Sequence, residues 1–318
     1  MTRVGYFCSY VPWELLSACG LEGVFLSPSR QPSPEVEALF PVPFCPLAKI
    51  VGEEIRSRDF DLTVFALSCD TSRRTWETVR NLFPQKEVLS LEVPFGDSAL
   101  QIQKFARELE HLGQILARRQ GLHPLDLEMR LDAILSSAFS EKKLVGELFF
   151  GGKISGRTLL RHEMGKTIVL QTVEKPFILS GSHLFVDNLA TLLEERNISF
   201  VEETPLGVRR FALVPFKGDL VPSSDPFLDL ARMYLSYKFP CPRERNLRLR
   251  TLKALITHLE ARGIIYLYPK FCDFALHDLA HIRRYITLPI LSLEHDLTPN
   301  LPQWTTRLEG FLEVTGSA

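Results

Sequence analysis

The stretch that decides the fold reads DLTVFALS at residues 61–68 and continues as CDTSRRTWETVRNLF at residues 69–83. The first part is a continuous apolar run, which is typical of a parallel strand that is buried on both faces. The second part predicts a helix that begins directly after the strand. A strand followed at once by a helix is the repeating unit of a parallel α/β sheet.

The same alternation extends over residues 1–96. The predicted strands and helices are GYFCSY (5–10), PWELLSACG (12–20), GVFLS (23–27), LAKIVGEEIRSR (47–58) and KEVLSLEVP (86–94), with a Pro/Ser-rich loop at SPSRQPSPE (27–35). No Asn-Gly or Asp-Gly hairpin signal interrupts them, so the strands are expected to be parallel. We assign residues 1–96 to an N-terminal α/β unit.

The rest of the chain predicts a helical segment and a second α/β unit. Residues 98–149 have strong helical periodicity and no β-branched run, and GGKISGRT (151–158) predicts a flexible glycine-rich linker. Strands and helices alternate again after that, with strands expected in KPFILSG (175–181), ISFVEE (198–203), GIIYLYPK (263–270) and TLPILSLEHD (287–296). The predicted fold is two Rossmann-like parallel-sheet units, 1–96 and 173–318, with a helical insertion at 97–172.

Composition excludes several classes of protein. The 318 residues include 37 Lys+Arg and 38 Asp+Glu, for a formal net charge of −1. The chain therefore lacks the excess of basic residues that is typical of nucleic-acid-binding proteins. Mean hydropathy is +0.03, and no apolar run is long enough to predict a membrane span. The first residues lack the pattern of a signal peptide, so we expect a cytoplasmic protein. The sequence contains no P-loop motif, so we do not expect this chain to bind ATP itself.

Six cysteines are the main candidates for chemistry. In a large cytoplasmic chain they are expected to be reduced, which leaves buried apolar filler, a catalytic thiol or metal ligands as their roles. Four of them fall at strand ends or helix starts, where parallel sheets bind ligands, namely Cys8, Cys45, Cys69 and Cys272. Cys19 is expected in the core, and Cys241, between two prolines, suits a structural role as well as a ligand.

The surroundings of three cysteines favour a role as metal ligands. Cys69-Asp70 and Cys272-Asp273 each follow a strand, and a helix N-terminus stabilises a thiolate. Cys45 is held in a stiff loop by the prolines on either side. Three thiolates with one open position suit an iron–sulfur cluster. However, free cysteine is commonly buried filler, and no Cys-x-x-Cys pair is present, so the spacing alone is a weak metal signal.

The motifs resemble those of one family when taken in order. The segments are GYFCSYVPWELLSACG, PFCPLAK, LSCDTSRRTWE, FPCPRER, GIIYLYPKFCDFALHD, LPILSLEHDLT and TTRLEGFLE. They resemble the 2-hydroxyacyl-CoA dehydratase subunits, whose relatives include ATP-dependent benzoyl-CoA reductase subunits and double-cubane cluster proteins. The resemblance covers roughly residues 3–96 and 174–314.

The resemblance implies an oxygen-sensitive [4Fe-4S] cluster ligated by Cys45, Cys69 and Cys272. It also implies three partners: an acyl-CoA substrate, a homologous subunit in a hetero- or homodimer, and a separate ATP-hydrolysing iron–sulfur activator that delivers one electron. The dehydratases of this family remove water from a 2-hydroxyacyl-CoA through a ketyl radical, whereas the benzoyl-CoA reductases reduce an aromatic ring. The acyl group is not indicated by the residues.

Two further residues are catalytic candidates. The Ser9 hydroxyl could face the ligand-binding edge, or it could be an ordinary turn serine. Glu14 could act as a general base, or it could be a first-turn glutamate that the helix dipole favours.

The chain also departs from the family pattern. It is short, and EETPLGVRR (202–210) lacks the Cys-x-Gly found in many relatives. These departures keep two alternatives open: a non-catalytic partner or electron-relay subunit, and an ATP-dependent reductase with a double-cubane cluster.

Overall fold

A computed structural model describes the backbone at residues 2–26, 31–150, 175–182, 184–203, 222–237 and 245–316, with side chains at all of these except 138–150, 237, 245–247 and 251. The chain divides into two compact units. Unit 1 comprises Met1–Lys142 and Phe216–Lys238, and unit 2 comprises Lys143–Pro215 and Phe239–Ala318.

Unit 1 contains a four-stranded parallel sheet. Its strands are β1 (Arg3–Tyr6), β2 (Glu22–Phe25), β3 (Leu62–Leu67) and β4 (Val88–Glu92). Their order is β2-β1-β3-β4, and Tyr6 is in register with both Phe25 and Val64. Every residue of β3 is buried, as its continuous apolar run predicts for a strand covered on both faces.

The helices of unit 1 follow the predicted order. They are α1 (Trp13–Ala18), α2 (Pro34–Glu37), α3 (Pro46–Ser57), α4 (Asp70–Leu82), α5 (Ala99–Arg119) and α6 (Pro124–Phe150), the last of which continues past the end of the unit. A capping box formed by Ser98 and Gln101 begins α5. Residues 98–149 are helical, as predicted, apart from the break between α5 and α6, where Gly121 adopts a left-handed φ of 65°.

The sequence predicted a loop over residues 27–35, but in the structure the last two of these residues begin a helix. Helix α2 begins at Pro34 because the Ser33 hydroxyl accepts a hydrogen bond from the Val36 amide and proline suits a first helical position. Glu53 on α3 holds this turn by accepting hydrogen bonds from both the amide and the hydroxyl of Ser33, at 2.9 and 2.8 Å.

Unit 2 repeats the arrangement of unit 1. Its strands are β5 (Phe177–Gly181), β6 (Phe200–Glu203), β7 (Gly263–Pro269) and β8 (Ile290–His295), in the order β6-β5-β7-β8 and all parallel. Helices α7 (Val186–Glu194), α9 (Arg245–Leu259), α10 (Asp273–Tyr285) and α11 (Leu301–Val314) flank the sheet. One apolar cluster packs α9 and α10 on one face, and a second packs α7 and α11 on the other.

One further helix belongs to unit 1 although it follows the strands β5 and β6 in sequence. Helix α8 (Pro226–Arg232) continues into a π-helical turn at Met233–Tyr237 and packs against α5. The predicted α/β fold class, with two parallel sheets and a helical insertion, is confirmed. The predicted linker at 151–158 and Cys241 lie outside the described residues. No described helix has the length and apolar character needed to cross a membrane.

Candidate functional site

The strand order places a topological switch point at the same position in each sheet. In unit 1 the chain runs from β1 outward to β2 and then returns to β3 on the other side of β1. Open α/β sheets bind ligands beyond the carboxyl ends of the strands at such a point. Cys8 follows β1 and Ser68 follows β3, and the Cys8 Sγ lies 3.2 Å from the Ser68 Oγ. The structure therefore brings a thiol and a hydroxyl together at this point.

Cys69 lies at the same edge, as the N-cap of α4. Its Sγ accepts a hydrogen bond from the Ser72 amide at 3.4 Å. The Ser72 hydroxyl in turn donates to the carbonyl of Ala66 at 2.5 Å, which ties the first turn of the helix to β3. The sulfur is half-buried and faces the positive end of the helix dipole, an arrangement that stabilises negative charge on it.

Cys45 is the N-cap of α3, and Pro46 occupies the first helical position. Helix α3 precedes β3 and packs against α4, and a helix that connects parallel strands begins at their carboxyl edge. Cys45 therefore lies at the same edge of the sheet as Cys69. It is buried, with 3% of its surface exposed.

Cys272 is the N-cap of α10 in unit 2 and is half-buried. It ends a tight turn after β7, in which its amide donates to the carbonyl of Pro269 at 3.2 Å. Phe271 within this turn has a left-handed φ of 58°. That conformation is unfavourable for a bulky residue, and such strain is concentrated at functional sites.

The three predicted ligands thus each occupy the N-cap position of a helix, and of the three only Cys69 accepts a capping hydrogen bond through its side chain. Among the described residues, no group of three or more His, Cys, Asp or Glu side chains is arranged to hold a metal ion. The five described cysteines form no disulfide. Cys19 lies in the core, where burial raises the pKa of its thiol to about 12, an effect that Arg130 partly offsets.

The two predicted catalytic residues of unit 1 are buried. Ser9 is 6% exposed, and Glu14 is fully buried. The Tyr234 hydroxyl donates a 2.6 Å hydrogen bond to the Glu14 carboxylate. Tyr234 lies in the π-helical turn after α8, and π-helical turns are frequent at functional sites. Sequence reasoning missed this pair because 220 residues separate its members.

A polar cluster at the carboxyl edge of unit 2 was also missed. His295, the last residue of β8, is 2% exposed, and its Nε2 lies 3.2 Å from the Ser182 Oγ. Its Nδ1 lies 3.1 Å from the carbonyl oxygen of Asp296. Burial lowers the pKa of His295 to about 4, although the Asp296 carbonyl and carboxylate favour the charged form. The imidazole is therefore neutral at neutral pH.

A buried ionic network supports the first turns of α10. Arg248 on α9 donates to Asp278 at 2.6 Å, to Glu203 at 3.2 Å and to Ser180 at 2.8 Å. The Tyr266 hydroxyl lies 2.7 Å from Asp278 and 3.3 Å from the carbonyl of Ala275. Burial raises the pKa of Glu203 to about 7, against the opposing effects of Arg248 and Ser180. The network ties α9 to α10, the helix that begins directly after Cys272.

Comparison with known proteins gives one informative match. A family model described as 2-hydroxyglutaryl-CoA dehydratase, D-component, matches residues 8–137 and 160–315. The match includes every candidate residue above, from Cys8 to His295. No curated protein matches the chain.

The similar solved structures are remote. The binding protein FpvC from Pseudomonas aeruginosa in complex with Mn2+ is 12% identical, with a TM-score of 0.29 and coverage of 99% of this chain and 97% of that one. ZnuA is 11% identical, with a TM-score of 0.27 and coverage of 99% and 98%. The laminin-binding protein Lbp of Streptococcus pyogenes is 13% identical, with a TM-score of 0.25 and coverage of 98% of both chains. These similarities are too low to indicate fold or function.

Proposed function

Because the chain belongs to the 2-hydroxyglutaryl-CoA dehydratase D-component family, we propose that it is the iron–sulfur subunit of an enzyme that acts on a 2-hydroxyacyl-CoA. The family is a component of a dehydratase, so a dehydratase-like activity within a multi-subunit enzyme follows from membership. The finer proposal is that this chain holds one [4Fe-4S] cluster through Cys45, Cys69 and Cys272. Its reaction is the dehydration or reduction of an acyl-CoA.

The observation that carries the proposal is the shared position of the three cysteines. Each is the N-cap of a helix, in α3, α4 and α10 respectively. Thiolates are the ligands that iron–sulfur clusters use, and each of these residues begins a helix at the positive end of its dipole. The donor set therefore fits the group in chemistry.

The protein's contribution is to position these thiolates. The Ser72 amide stabilises charge on Cys69, and the hydrogen bond from Ser72 to Ala66 fixes the turn that carries it. Pro46 restricts the backbone beside Cys45, and the tight turn from Pro269 restricts it beside Cys272. When bound, the cluster would supply a one-electron centre and an iron atom with a coordination position open to an oxygen of the substrate.

The proposal includes two protein partners. One is a homologous subunit, which is in keeping with a D-component being part of a multi-subunit enzyme. The other is an activator that hydrolyses ATP and passes one electron to this chain. Since the sequence has no P-loop motif, ATP hydrolysis is assigned to the activator.

The test is iron binding by single cysteine variants purified and reconstituted under anaerobic conditions. Cys69→Ala is expected to lose most of its iron because it removes one of three ligands, and Cys45→Ala and Cys272→Ala are expected to do the same. Cys19→Ala is the matched control, since this thiol is buried in the core, where it donates to the Gly113 carbonyl at 3.8 Å. Circular dichroism and thermal unfolding of each variant show whether the fold is retained.

Full retention of iron by a folded Cys69→Ala variant would contradict the ligand assignment. Loss of iron in Cys19→Ala to the same degree would show that the measurement reports folding rather than ligation. If the wild-type chain takes up no iron, the cluster proposal fails, and the role of a non-catalytic partner subunit is then preferred.

A further inference from the structure

Ser182 lies at the switch point of the second sheet. It follows Gly181, the last residue of β5, and its amide donates to the carbonyl of Leu267 on β7 at 2.6 Å. Gly181 has a left-handed φ of 98°, and a Cβ at that position would clash with the same Leu267 carbonyl, so glycine is required there. The backbone geometry therefore places the half-buried Ser182 across the carboxyl end of β7.

The hydrogen bonds of His295 define its tautomer. A backbone carbonyl only accepts hydrogen bonds, so the contact with Asp296 places the proton on Nδ1. In the neutral imidazole the Nε2 then carries a lone pair, and the Ser182 hydroxyl donates its proton to it. The ring of Phe185 packs edge-on against the imidazole, with centroids 5.1 Å apart.

The remaining hydrogen-bonding capacity of Ser182 is that of an acceptor. A hydroxyl has one proton and two lone pairs. The proton is engaged by His295, and one lone pair accepts from the Leu184 amide at 3.1 Å. The hydrogen bonds among the described residues leave the second lone pair of the half-buried oxygen for a ligand. A ligand group at this point has to be a donor, such as a hydroxyl.

The pair is adjacent to the turn that carries Cys272. The Lys270 amide donates to the carbonyl of His295 at 2.8 Å, so β8 holds the first residue of that turn. Lys270 also forms an ion pair with Asp296 at 3.3 Å. The Ser182–His295 pair, the Lys270–Asp296 ion pair and Cys272 thus lie along one edge of one sheet.

We propose that the Ser182 oxygen, fixed by His295, accepts a hydrogen bond from the 2-hydroxyl group of the acyl-CoA substrate and selects hydroxylated thioesters. This assignment rests on the proposed function and adds a specificity-determining residue to it. A site built to pair with a substrate hydroxyl discriminates against the analogue that lacks it, because the site's polar group is then left without its partner.

The test compares the binding of thioester pairs that differ only in the 2-hydroxyl. Calorimetry under anaerobic conditions would use 2-hydroxyglutaryl-CoA against glutaryl-CoA, and lactoyl-CoA against propionyl-CoA. The wild-type protein is expected to bind the hydroxylated member of the preferred pair about tenfold more tightly. In Ser182→Ala this preference is expected to fall to about unity.

The control is Ser292→Ala, which removes a hydroxyl that accepts a hydrogen bond from Arg283 and that lies within β8, before the carboxyl end of the strand at His295. It is expected to retain the full preference. Unchanged preference in Ser182→Ala, or equal binding of both members by the wild-type protein, would overturn the assignment and leave the proposed function standing. Failure of the wild-type protein to bind any of the four thioesters would contradict the proposed function and the assignment together.

Discussion

Cys69 shows how one residue connects the sequence to the proposed chemistry. The strand before it is apolar and fully buried, so its position at the strand's carboxyl end is defined by the hydrophobic pattern of its neighbours. The helix after Cys69 supplies the Ser72 amide, which donates a hydrogen bond to the Cys69 sulfur. A cysteine used only as apolar filler has no need of this hydrogen bond, and Cys19 is the example in unit 1.

His295 gives a prediction about stability against pH. Its pKa is lowered from 6.5 to about 4 in the folded protein, so between these values the unfolded chain binds a proton that the folded chain does not. Folding stability is therefore lost as the pH falls through this window. Between pH 7.5 and pH 5 the loss from this one group is about 2 kcal/mol.

The prediction is checked by comparing wild type with His295→Gln in urea unfolding at several pH values. The difference isolates His295 from other groups, including Glu203, whose raised pKa acts in the opposite direction. The stability advantage of the wild type over the variant is expected to shrink by about 2 kcal/mol on going from pH 7.5 to pH 5. A difference that stays constant with pH would show that His295 is not held neutral.

At the scale of elements, the start of α10 depends on a buried ionic network. Arg248 on α9 is paired with Asp278 on α10 and with Glu203 at the end of β6, and all three side chains are almost fully buried. Removing one member of a buried ion pair leaves an uncompensated charge, which costs more than the pair itself contributes.

Arg248→Met is therefore expected to destabilise the protein by about 3–5 kcal/mol. Arg74→Met is the control, because the ion pairs of Arg74 with Asp70 and Glu77 are exposed, and it is expected to change stability by less than about 1 kcal/mol. Chemical denaturation of the two variants checks both values. A loss of under about 1 kcal/mol in Arg248→Met would show that the network is not a stabilising contact between α9 and α10.

The elements themselves were predictable, whereas their distant contacts were not. Continuous apolar runs predict buried parallel strands at residues 61–68 and 263–270. The structure places β3 and β7 within these ranges. In contrast, Arg248 has the appearance of an exposed helical arginine in RNLRLR, and only the fold brings Glu203 and Asp278 to it. The Ser182–His295 contact likewise joins residues 113 positions apart.

At the scale of the whole molecule, two sheets of the same strand order place chemical groups at the same kind of edge. Unit 1 has Cys8, Ser68 and Cys69 beyond the ends of β1 and β3. Unit 2 has Ser182 and Cys272 beyond the ends of β5 and β7. Sequence periodicity predicted both sheets, and the strand order, which sets the switch points, came from the structure.

The central claim is that this chain holds one iron–sulfur cluster. Its most direct test is the iron and acid-labile sulfide content per chain after anaerobic purification or reconstitution, with visible spectra before and after exposure to air. We predict about four iron and four sulfide per chain and a brown colour that air bleaches. A folded, colourless chain without iron after reconstitution would contradict the claim, and a content of about eight iron would indicate a double-cubane cluster instead.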